Sequence, residues 1–465
     1  RVFFAYRFKV CIFHMKSLTR RMSLRFILQA LCLAASVSFA NAAVSLPGEQ
    51  TIASLPSDIE GPVKEAMEAF QGGRHYKAVD LARPLAEKGN PEAQYLLGFA
   101  HETGQGAEAS KDKAVEYYRK AAASKHRDAI YRLSFILLAS DKATEREQAR
   151  TQLEEAAKSD PAIAARILGE AYLRGRLTPT PDPDKAIFWW KRAADAGDNL
   201  SMSLIGRFYE GQFGFPELRD VKASLEYYAK AAGLGNSAAM VVIGSRYLNG
   251  DEKFRDEAKG REWLKKAIEA KDYTAYLALG DYEENVKKNF KEALVQYERG
   301  KDGGQMDCML RSADYYIEGK GVSKDVDRGM SILKKAAELG SPIASYRLAA
   351  NFLSAKKPDI LSAYKYLLAS ANGNLPEAQS ELGLLYLSGK MGEADPSAGI
   401  SWLTRAAQNG LAQAQYNLAV IYERGAGGQA RNIENAGQLY TLAANQGHGP
   451  STLALARLLN EGLGV

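Results

Sequence analysis

One segment, residues 412–448, contains the unit that most constrains how this chain can fold. Its sequence is AQAQYNLAVIYERGAGGQARNIENAGQLYTLAANQGH. An apolar stretch is followed by a glycine-rich turn, by a second stretch with an aromatic residue before two alanines, and by a glycine. The same order of parts recurs from about residue 60 onward. A repeat of this kind predicts stacked units that share one core, rather than the separate domains that 465 residues would otherwise suggest.

Each unit has the length of a helical hairpin. A small residue near the end of the second stretch marks each unit and recurs at spacings of 33 to 38 residues. These markers are Ala121, Ala156, Ala193, Ala231, Ala267, Gly300, Ala336, Ser370, Ala406 and Ala443. The variation in spacing belongs to the turns, because one extra residue would rotate the apolar face of a helix by about 100°. We therefore predict an all-α solenoid of about ten helix-turn-helix repeats. The second repeat (about 128–160) and the sixth (about 273–305) are short and lack the turn glycines, which makes them candidates for a change in superhelix curvature.

The first helix of each repeat is centred on a small residue, which we call the hinge residue. The hinge residues are Gly98, Ser134, Gly169, Gly206, Gly244, Gly280, Ala313, Ala349, Gly383, Ala419 and Ala456. Leucine or isoleucine usually precedes the hinge residue, and an aromatic residue usually follows it three positions later, so these side chains share one face of a helix. We predict that this face forms the core. Trp190, in a second helix, and Cys308, five residues before Ala313, are predicted to be buried in it.

The helix ends also follow a pattern. A glycine suited to a left-handed helix end follows most second helices, at Gly89, Gly197, Gly235, Gly340, Gly373, Gly410 and Gly447. Asn90-Pro91, Asp160-Pro161 and Ser341-Pro342 then open the next helix, because a polar cap and a proline both suit the first turn.

The first 42 residues have the composition of a secretory signal peptide. They hold seven basic side chains and no acidic one, and the apolar run 26–39 leads to the small-residue site Ala40-Asn41-Ala42. We expect cleavage near Ala42 and a periplasmic or secreted protein. Residues 43–59 are an unassigned linker, 60–90 a divergent first hairpin, and 91–465 the repeats.

The charge of the mature chain gives no reason to expect nucleic-acid binding. Of 61 Lys and Arg residues, seven lie in the leader, which leaves 54 against 55 Asp and Glu. After the leader, no apolar run approaches the roughly 20 residues of a membrane span, so no span is expected in the mature chain.

The repeated pattern resembles a known family. It reads L-G-x-x-Y-x-x-G, a turn such as Gly319-Lys320-Gly321-Val322, and then D-x-x-x-A, W/Y and A-A-x-x-G. From about residue 90 to the end, this is similar to the SEL-one-like repeat family, a relative of the tetratricopeptide repeats. The resemblance implies a right-handed α/α superhelix that scaffolds partners and has no catalytic residues to carry over. Secreted bacterial members are similar to periplasmic regulators, envelope adaptors and polysaccharide-export scaffolds.

No motif for catalysis or for binding a metal or cofactor is evident. The histidines of the mature chain, His75, His101, His126 and His448, show no ligand spacing, and Cys308 is its one cysteine. Three Ser-x-x-Lys matches lack the companion motifs of penicillin-binding enzymes and are chance matches on charged helices. We therefore expect a protein without cofactor, metal or enzymatic activity.

Partner contacts are predicted on the side of the first helices away from the core stripe. Positions three before and one after the hinge residue should face the inner groove of such a superhelix. The candidate partner-binding residues are Tyr95, Phe99, Arg166, Glu170, Arg207, Tyr346, Leu384, Tyr416 and Val420. We predict an exported, non-enzymatic scaffold that binds a protein partner in the bacterial envelope as an adaptor or regulator. The alternative is a carbohydrate-binding or scaffold subunit of an envelope polysaccharide export system.

The last repeat is half a hairpin. Its helix, about Pro450 to Asn460, carries Leu453 and Leu459, whereas a terminal repeat normally presents a polar outer face. We expect this edge to be covered by further residues, by a partner or by a second copy, so self-association through it is one expectation.

Overall fold

A computed structural model describes residues 61–390 and 392–463. The predicted signal peptide (1–42) and the whole predicted linker (43–59) lie outside these residues. The chain divides into two units, the first ending at Ser201 and the second beginning at Met202. The described residues form α-helices and two short 3₁₀ turns, with no strand among them. The predicted all-α repeat fold is confirmed. None of the described helices is both long and apolar enough to cross a membrane.

The first unit is a row of helical hairpins. Its helices are α1 (Pro62–Gln71), α2 (His75–Glu87), α3 (Pro91–Thr103), α4 (Lys111–Ala123), α5 (Arg127–Leu138), α6 (Ala143–Ser159), α7 (Pro161–Leu173), α8 (Pro183–Asp195) and the start of α9 (Asn199–Tyr209). Each hairpin packs on the next, and α1 and α2 lie in the segment predicted as a divergent first hairpin.

The second unit continues with hairpins of the same kind. After α9 come α10 (Val221–Gly233), α11 (Ser237–Asn249), α12 (Glu257–Glu269), α13 (Ala275–Asn285), α14 (Phe290–Asp302), α15 (Met306–Glu318), α16 (Val326–Glu338), α17 (Pro342–Ser354), α18 (Ile360–Asn372), α19 (Pro376–Ser388), α20 (Pro396–Gln408), α21 (Ala412–Arg424), α22 (Ile433–Asn445) and α23 (Gly449–Asn460). Two 3₁₀ turns lie within hairpins, Pro216–Leu218 between α9 and α10 and Glu252–Phe254 between α11 and α12.

Hinge glycines allow the two helices of a hairpin to approach closely. The ring of Tyr118 in α4 lies against Gly98 in α3, and a methyl group at Gly98 would come within 2.6 Å of the Tyr118 ring. Tyr228 lies against Gly206 in the same way, with a corresponding distance of 2.9 Å. No carbon pair packs this closely, so a side chain at these glycines would push the helices apart.

The aromatic residue on Gly169 is Trp190, which is 1% exposed. Its indole Nε1 donates a hydrogen bond to the Arg166 carbonyl oxygen at 3.2 Å. The predicted burial of Trp190 is confirmed, and the buried N–H group has the partner that burial requires.

The helix ends match the sequence pattern with two exceptions. Six of the seven predicted glycines have positive φ, but Gly373 does not, and Asn374 takes the left-handed conformation with φ of 63° in its place. Asn90 caps α3 by accepting the Ala93 amide at 2.9 Å. Asp160 makes no such cap, because its carboxylate accepts the Tyr131 hydroxyl at 2.8 Å instead.

Candidate functional site

Three of the predicted partner-binding residues belong to the core of the first unit. Tyr95 is completely buried and stacks on the His126 ring, with 4.8 Å between ring centroids. Phe99 is 9% exposed and lies under the Arg132 guanidinium, 4.6 Å from its ring centroid. The buried Arg166 pairs with Asp198 at 3.1 Å. Because the next repeat covers these side chains, they are core residues and offer no surface to a partner.

The other six predicted residues keep part of their surface exposed. They are Glu170, Arg207, Tyr346, Leu384, Tyr416 and Val420. Glu170 pairs with Arg174, and the Nε of Arg207 donates to Gln212 Oε1 at 3.0 Å. Tyr416 lies 5.8 Å from the Tyr440 ring and 5.2 Å from the His448 ring, measured between centroids. That these six contact a partner stays a prediction.

In the second unit, the first helices of consecutive repeats carry a row of ion pairs. Asp281, one residue after its hinge residue, lies 3.6 Å from Arg311, which is two residues before the next hinge residue. Asp314 and Arg347 repeat this arrangement one repeat later, at 2.7 Å. Burial raises the pKa of both aspartates, and the two arginines act in the opposite direction. These four charges therefore neutralise one another along α13, α15 and α17.

The charge pattern of this row changes at α19. Glu381 is two residues before Gly383, so it occupies the position that Arg311 and Arg347 hold in the preceding repeats. One residue after hinge residue Ala349, where an aspartate would stand, the chain has Ala350. The Glu381 carboxylate accepts the Tyr346 hydroxyl at 3.1 Å. Burial raises the pKa of Glu381, and no lysine or arginine in the described part of the chain forms an ion pair with it.

Glu377 lies one helical turn before Glu381. Its Oε2 atom is shielded from solvent and has no hydrogen-bond partner among the described residues. The pKa of Tyr346 is raised by burial first, and then by the negative charges of Glu381 and Glu377. Glu381 therefore binds the Tyr346 hydroxyl, and Glu377, one turn earlier on α19, adds a second negative charge that acts on it. We call Glu377 and Glu381 the acidic pair.

A second recurring arrangement was missed by sequence reasoning. In four hairpins a tyrosine of the second helix donates its hydroxyl to a glutamate four residues after the hinge residue, and a base from the following repeat pairs with that glutamate. The sets are Tyr118, Glu102 and Arg132; Tyr228, Glu210 and Arg246; Tyr297, Glu284 and Lys320; and Tyr440, Glu423 and Arg457. The glutamate always lies four residues after the hinge residue, whereas the base lies at a different position of the next repeat in each set. The sets therefore show no fixed spacing in the sequence by which they could be predicted. These sets join neighbouring repeats.

A cavity of about 170 Å³ lies in the second unit between the two turns that contain the 3₁₀ segments. Arg219 and Arg246 line it, together with Leu225 and Phe254. Both arginines are already paired, Arg219 with Asp251 at 3.3 Å and Arg246 with Glu210. The cavity is therefore electrically balanced and selects no obvious class of ligand.

The histidines have packing and capping roles. His126 accepts the Ala129 amide at its Nδ1 atom and caps α5, while its Nε2 atom lies 2.9 Å from Glu92. His448 caps α23 in the same way, and burial lowers its pKa. His101 stacks on Tyr117 at 5.8 Å. Within the described residues, no group of three or more His, Cys, Asp or Glu side chains is placed to hold a metal ion.

Cys308 is completely buried, as predicted. Burial raises the pKa of its thiol to about 12, so almost no reactive thiolate exists at neutral pH. We expect the native mature protein to resist a thiol reagent and to react rapidly after denaturation. A Ser124→Cys variant, with its thiol at an exposed position, serves as the reactive control. Rapid labelling of Cys308 in the native protein would contradict its place in the core.

Comparison with known proteins identifies the repeats. The Sel1 repeat family model matches eight segments that together cover more than half of the chain. They are residues 91–126, 162–198, 200–236, 237–272, 307–341, 342–375, 376–411 and 412–448. The hairpins at 127–161 and 273–306, which it does not match, correspond to the two repeats that the sequence identifies as short.

Several curated proteins are similar to parts of this chain. The chitin synthase regulator SKT5 of Saccharomyces cerevisiae is 28% identical over 268 residues, which cover 53% of this chain and 38% of that protein. The ERAD-associated E3 ubiquitin-protein ligase component HRD3A of Arabidopsis thaliana is 26% identical over 220 residues, which cover 44% and 32%. An uncharacterized protein of Neisseria meningitidis is 25% identical over 275 residues, which cover 58% and 56%. The chain thus spans less than two thirds of each of these relatives.

Two solved structures show a similar helical fold. A protective antigen of uropathogenic Escherichia coli with an SLR fold has 24% identity and a TM-score of 0.43, over 87% of this chain and 91% of the antigen. A Sel1 repeat protein from Oxalobacter formigenes has 24% identity and a TM-score of 0.46, over 70% and 93%.

Proposed function

Because this chain belongs to the Sel1 repeat family, we propose that it is a non-enzymatic scaffold that binds a protein partner in the bacterial envelope, as an adaptor or regulator. The observation that carries the proposal is a set of partly exposed apolar side chains on consecutive first helices: Tyr346 on α17, Leu384 on α19, and Tyr416 and Val420 on α21. Aromatic and aliphatic side chains with part of their surface exposed are the usual anchors of protein interfaces.

The chemistry of the polar side chains supports a non-enzymatic role. The buried thiol of Cys308 is far from its reactive form, and His126 and His448 are occupied as helix caps. The buried tyrosines that donate to glutamates have pKa values raised by burial, which is the opposite of activation.

The names of two relatives support a role beside another protein. One is called a regulator of chitin synthase and the other a component of an E3 ubiquitin-protein ligase. Both names describe a protein that works with an enzyme.

The composition of the leader, residues 1–42, supports export of the protein. N-terminal sequencing of the mature protein from a periplasmic fraction tests this part of the proposal.

The partner is best found by cross-linking. A photo-cross-linking amino acid at Leu384, in the full chain expressed in its own host, should attach to one protein that mass spectrometry then identifies. Affinity for that purified protein can then be measured by calorimetry. Binding of an isolated envelope polysaccharide, with no cross-linked protein, would instead support the alternative of a subunit in polysaccharide export.

Replacing Tyr416 and Val420 together by serine should weaken partner binding by at least tenfold, which corresponds to about 1.4 kcal/mol, and should lower the free energy of unfolding by less than that. The expected difference follows from their partial exposure. Leu361→Ser is the control, because Leu361 is 78% exposed on the second helix α18. Equal losses of binding and of stability would show that Tyr416 and Val420 are core residues and would contradict the proposal.

A further inference from the structure

We propose that the surface formed by the acidic pair and by Tyr346, Leu384 and Val420 binds a basic, apolar segment of a partner protein. A lysine or arginine of the segment pairs with Glu377 and Glu381, and its apolar side chains contact Leu384 and Val420. This inference rests on the proposed function as a protein-binding scaffold and specifies the chemistry of its partner.

The row of charges along the first helices is balanced up to α17 and loses this balance at α19. Asp281 on α13 and Asp314 on α15 each have an arginine of the next repeat beside them. At α19 an acid, Glu381, stands at the arginine position, and Asn417 follows at the same position in α21. Asn417 carries no charge and accepts a hydrogen bond from Gln413. The negative charge of Glu381 is thus the first in the row that the neighbouring repeats leave uncompensated.

The two carboxylates of the acidic pair have few hydrogen-bond donors around them. A carboxylate offers acceptor sites for about four hydrogen bonds, and a shielded, unpaired one is unfavourable. Glu377 Oε2 is shielded and has no partner within the described residues, and Glu381 has the neutral Tyr346 hydroxyl. Both side chains as a whole are partly exposed, so a partner can reach them. An ammonium or guanidinium group supplies the charged donor that neither acid has among its hydrogen-bond or ion-pair partners in the described residues. A phosphate, a nucleic acid or an anionic membrane surface would be repelled.

Two apolar side chains, Leu384 and Val420, complete the proposed surface. Leu384 lies one turn after Glu381 on α19, and Val420 occupies the same position relative to the hinge residue on α21. Both side chains are partly exposed. A small cation alone would leave these side chains uncovered, whereas a peptide that carries both a basic and an apolar side chain covers the whole surface. The occupant we infer is therefore a protein segment with both kinds of side chain.

The test measures the affinity of the mature protein for two synthetic peptides of equal length, one of alternating lysine and leucine and one of alternating glutamate and leucine. We expect the lysine peptide to bind the native protein at least tenfold more tightly, since charge-assisted hydrogen bonds discriminate by about this factor. Glu381→Gln should weaken binding of the lysine peptide by roughly tenfold. Combining it with Glu377→Gln should weaken this binding further. Glu381→Lys should favour the glutamate peptide over the lysine peptide.

Asp314→Asn is the matched control. It removes the same charge from the same row, but Arg347 already compensates Asp314, so binding of the lysine peptide should change little. Thermal melts of each variant show whether the fold is retained. Equal affinity for the two peptides, or equal losses for Glu381→Gln and Asp314→Asn, would overturn the inference. If the cross-linked partner loses affinity for the Tyr416/Val420 double variant but not for Glu381→Gln, the scaffold function stands and the basic segment is rejected.

Discussion

Trp190→Ala is expected to lower the free energy of unfolding by about 3 to 5 kcal/mol, the usual cost of truncating a buried tryptophan. The indole is 1% exposed, lies against Gly169 and donates to the Arg166 carbonyl oxygen. The surrounding helices relax only partially around a truncated side chain, so most of the space that the ring leaves becomes a cavity. The Arg166 carbonyl oxygen also loses the hydrogen bond that the indole donates to it.

Denaturant unfolding of the mature protein measures this effect. Phe188→Ala is the matched control, because Phe188 lies in the same helix α8 but is 54% exposed. The control should change stability by about 0.5 kcal/mol or less. A loss below about 1 kcal/mol for Trp190→Ala would mean that the aromatic residues of the second helices do not form the core.

Glu102→Leu is the second substitution with a large expected effect, also about 3 to 5 kcal/mol, because it removes the carboxylate that pairs with a buried arginine and accepts a buried hydroxyl. Glu102 accepts the Tyr118 hydroxyl at 2.5 Å and pairs with Arg132 at 3.1 Å. The Arg132 side chain is 2% exposed, so water cannot replace the lost carboxylate. The loss should persist at high salt, since a buried pair is screened far less than a surface pair.

A double variant separates the ion pair from simple packing. Replacing Glu102 by Leu and Arg132 by Met together should recover much of the stability, because an apolar pair of similar volume carries no desolvation penalty. Glu116→Gln, which breaks an exposed pair with Lys120, should have no measurable effect. If the double variant is as unstable as the sum of its two single variants, the buried charge is not the cause.

Interactions within one repeat could be predicted from the sequence. The burial of Trp190 and Cys308 and the small residues at Gly98 and Gly206 followed from the period of a helix and the length of a hairpin. The contacts of Trp190, Gly98 and Gly206 join the two helices of one hairpin, so their spacing along the chain reports their contact in space. Cys308 packs against Gly300 of the preceding hairpin, and its burial was predicted only from its place on the apolar face of its helix. Between residues 91 and 448, the two repeats that are short in sequence are the two hairpins that the family model does not match.

The side chains between repeats could not be assigned in this way. Tyr95, Phe99 and Arg166 lie on the face predicted to be open, yet His126, Arg132 and Asp198 cover them.

The sequence by itself determined the helices, their pairing into hairpins and the apolar stripe that each hairpin buries, because these depend on local periodicity and close approach within one unit. Only the tertiary structure decided which of the remaining faces is covered by the next repeat and which charges find a partner there. The reason is physical: the base that compensates Glu102, Glu210 or Glu284 comes from a different position of the next repeat each time, and the cost of a charge without such a base, as at Glu381, depends on burial that no spacing in the sequence records.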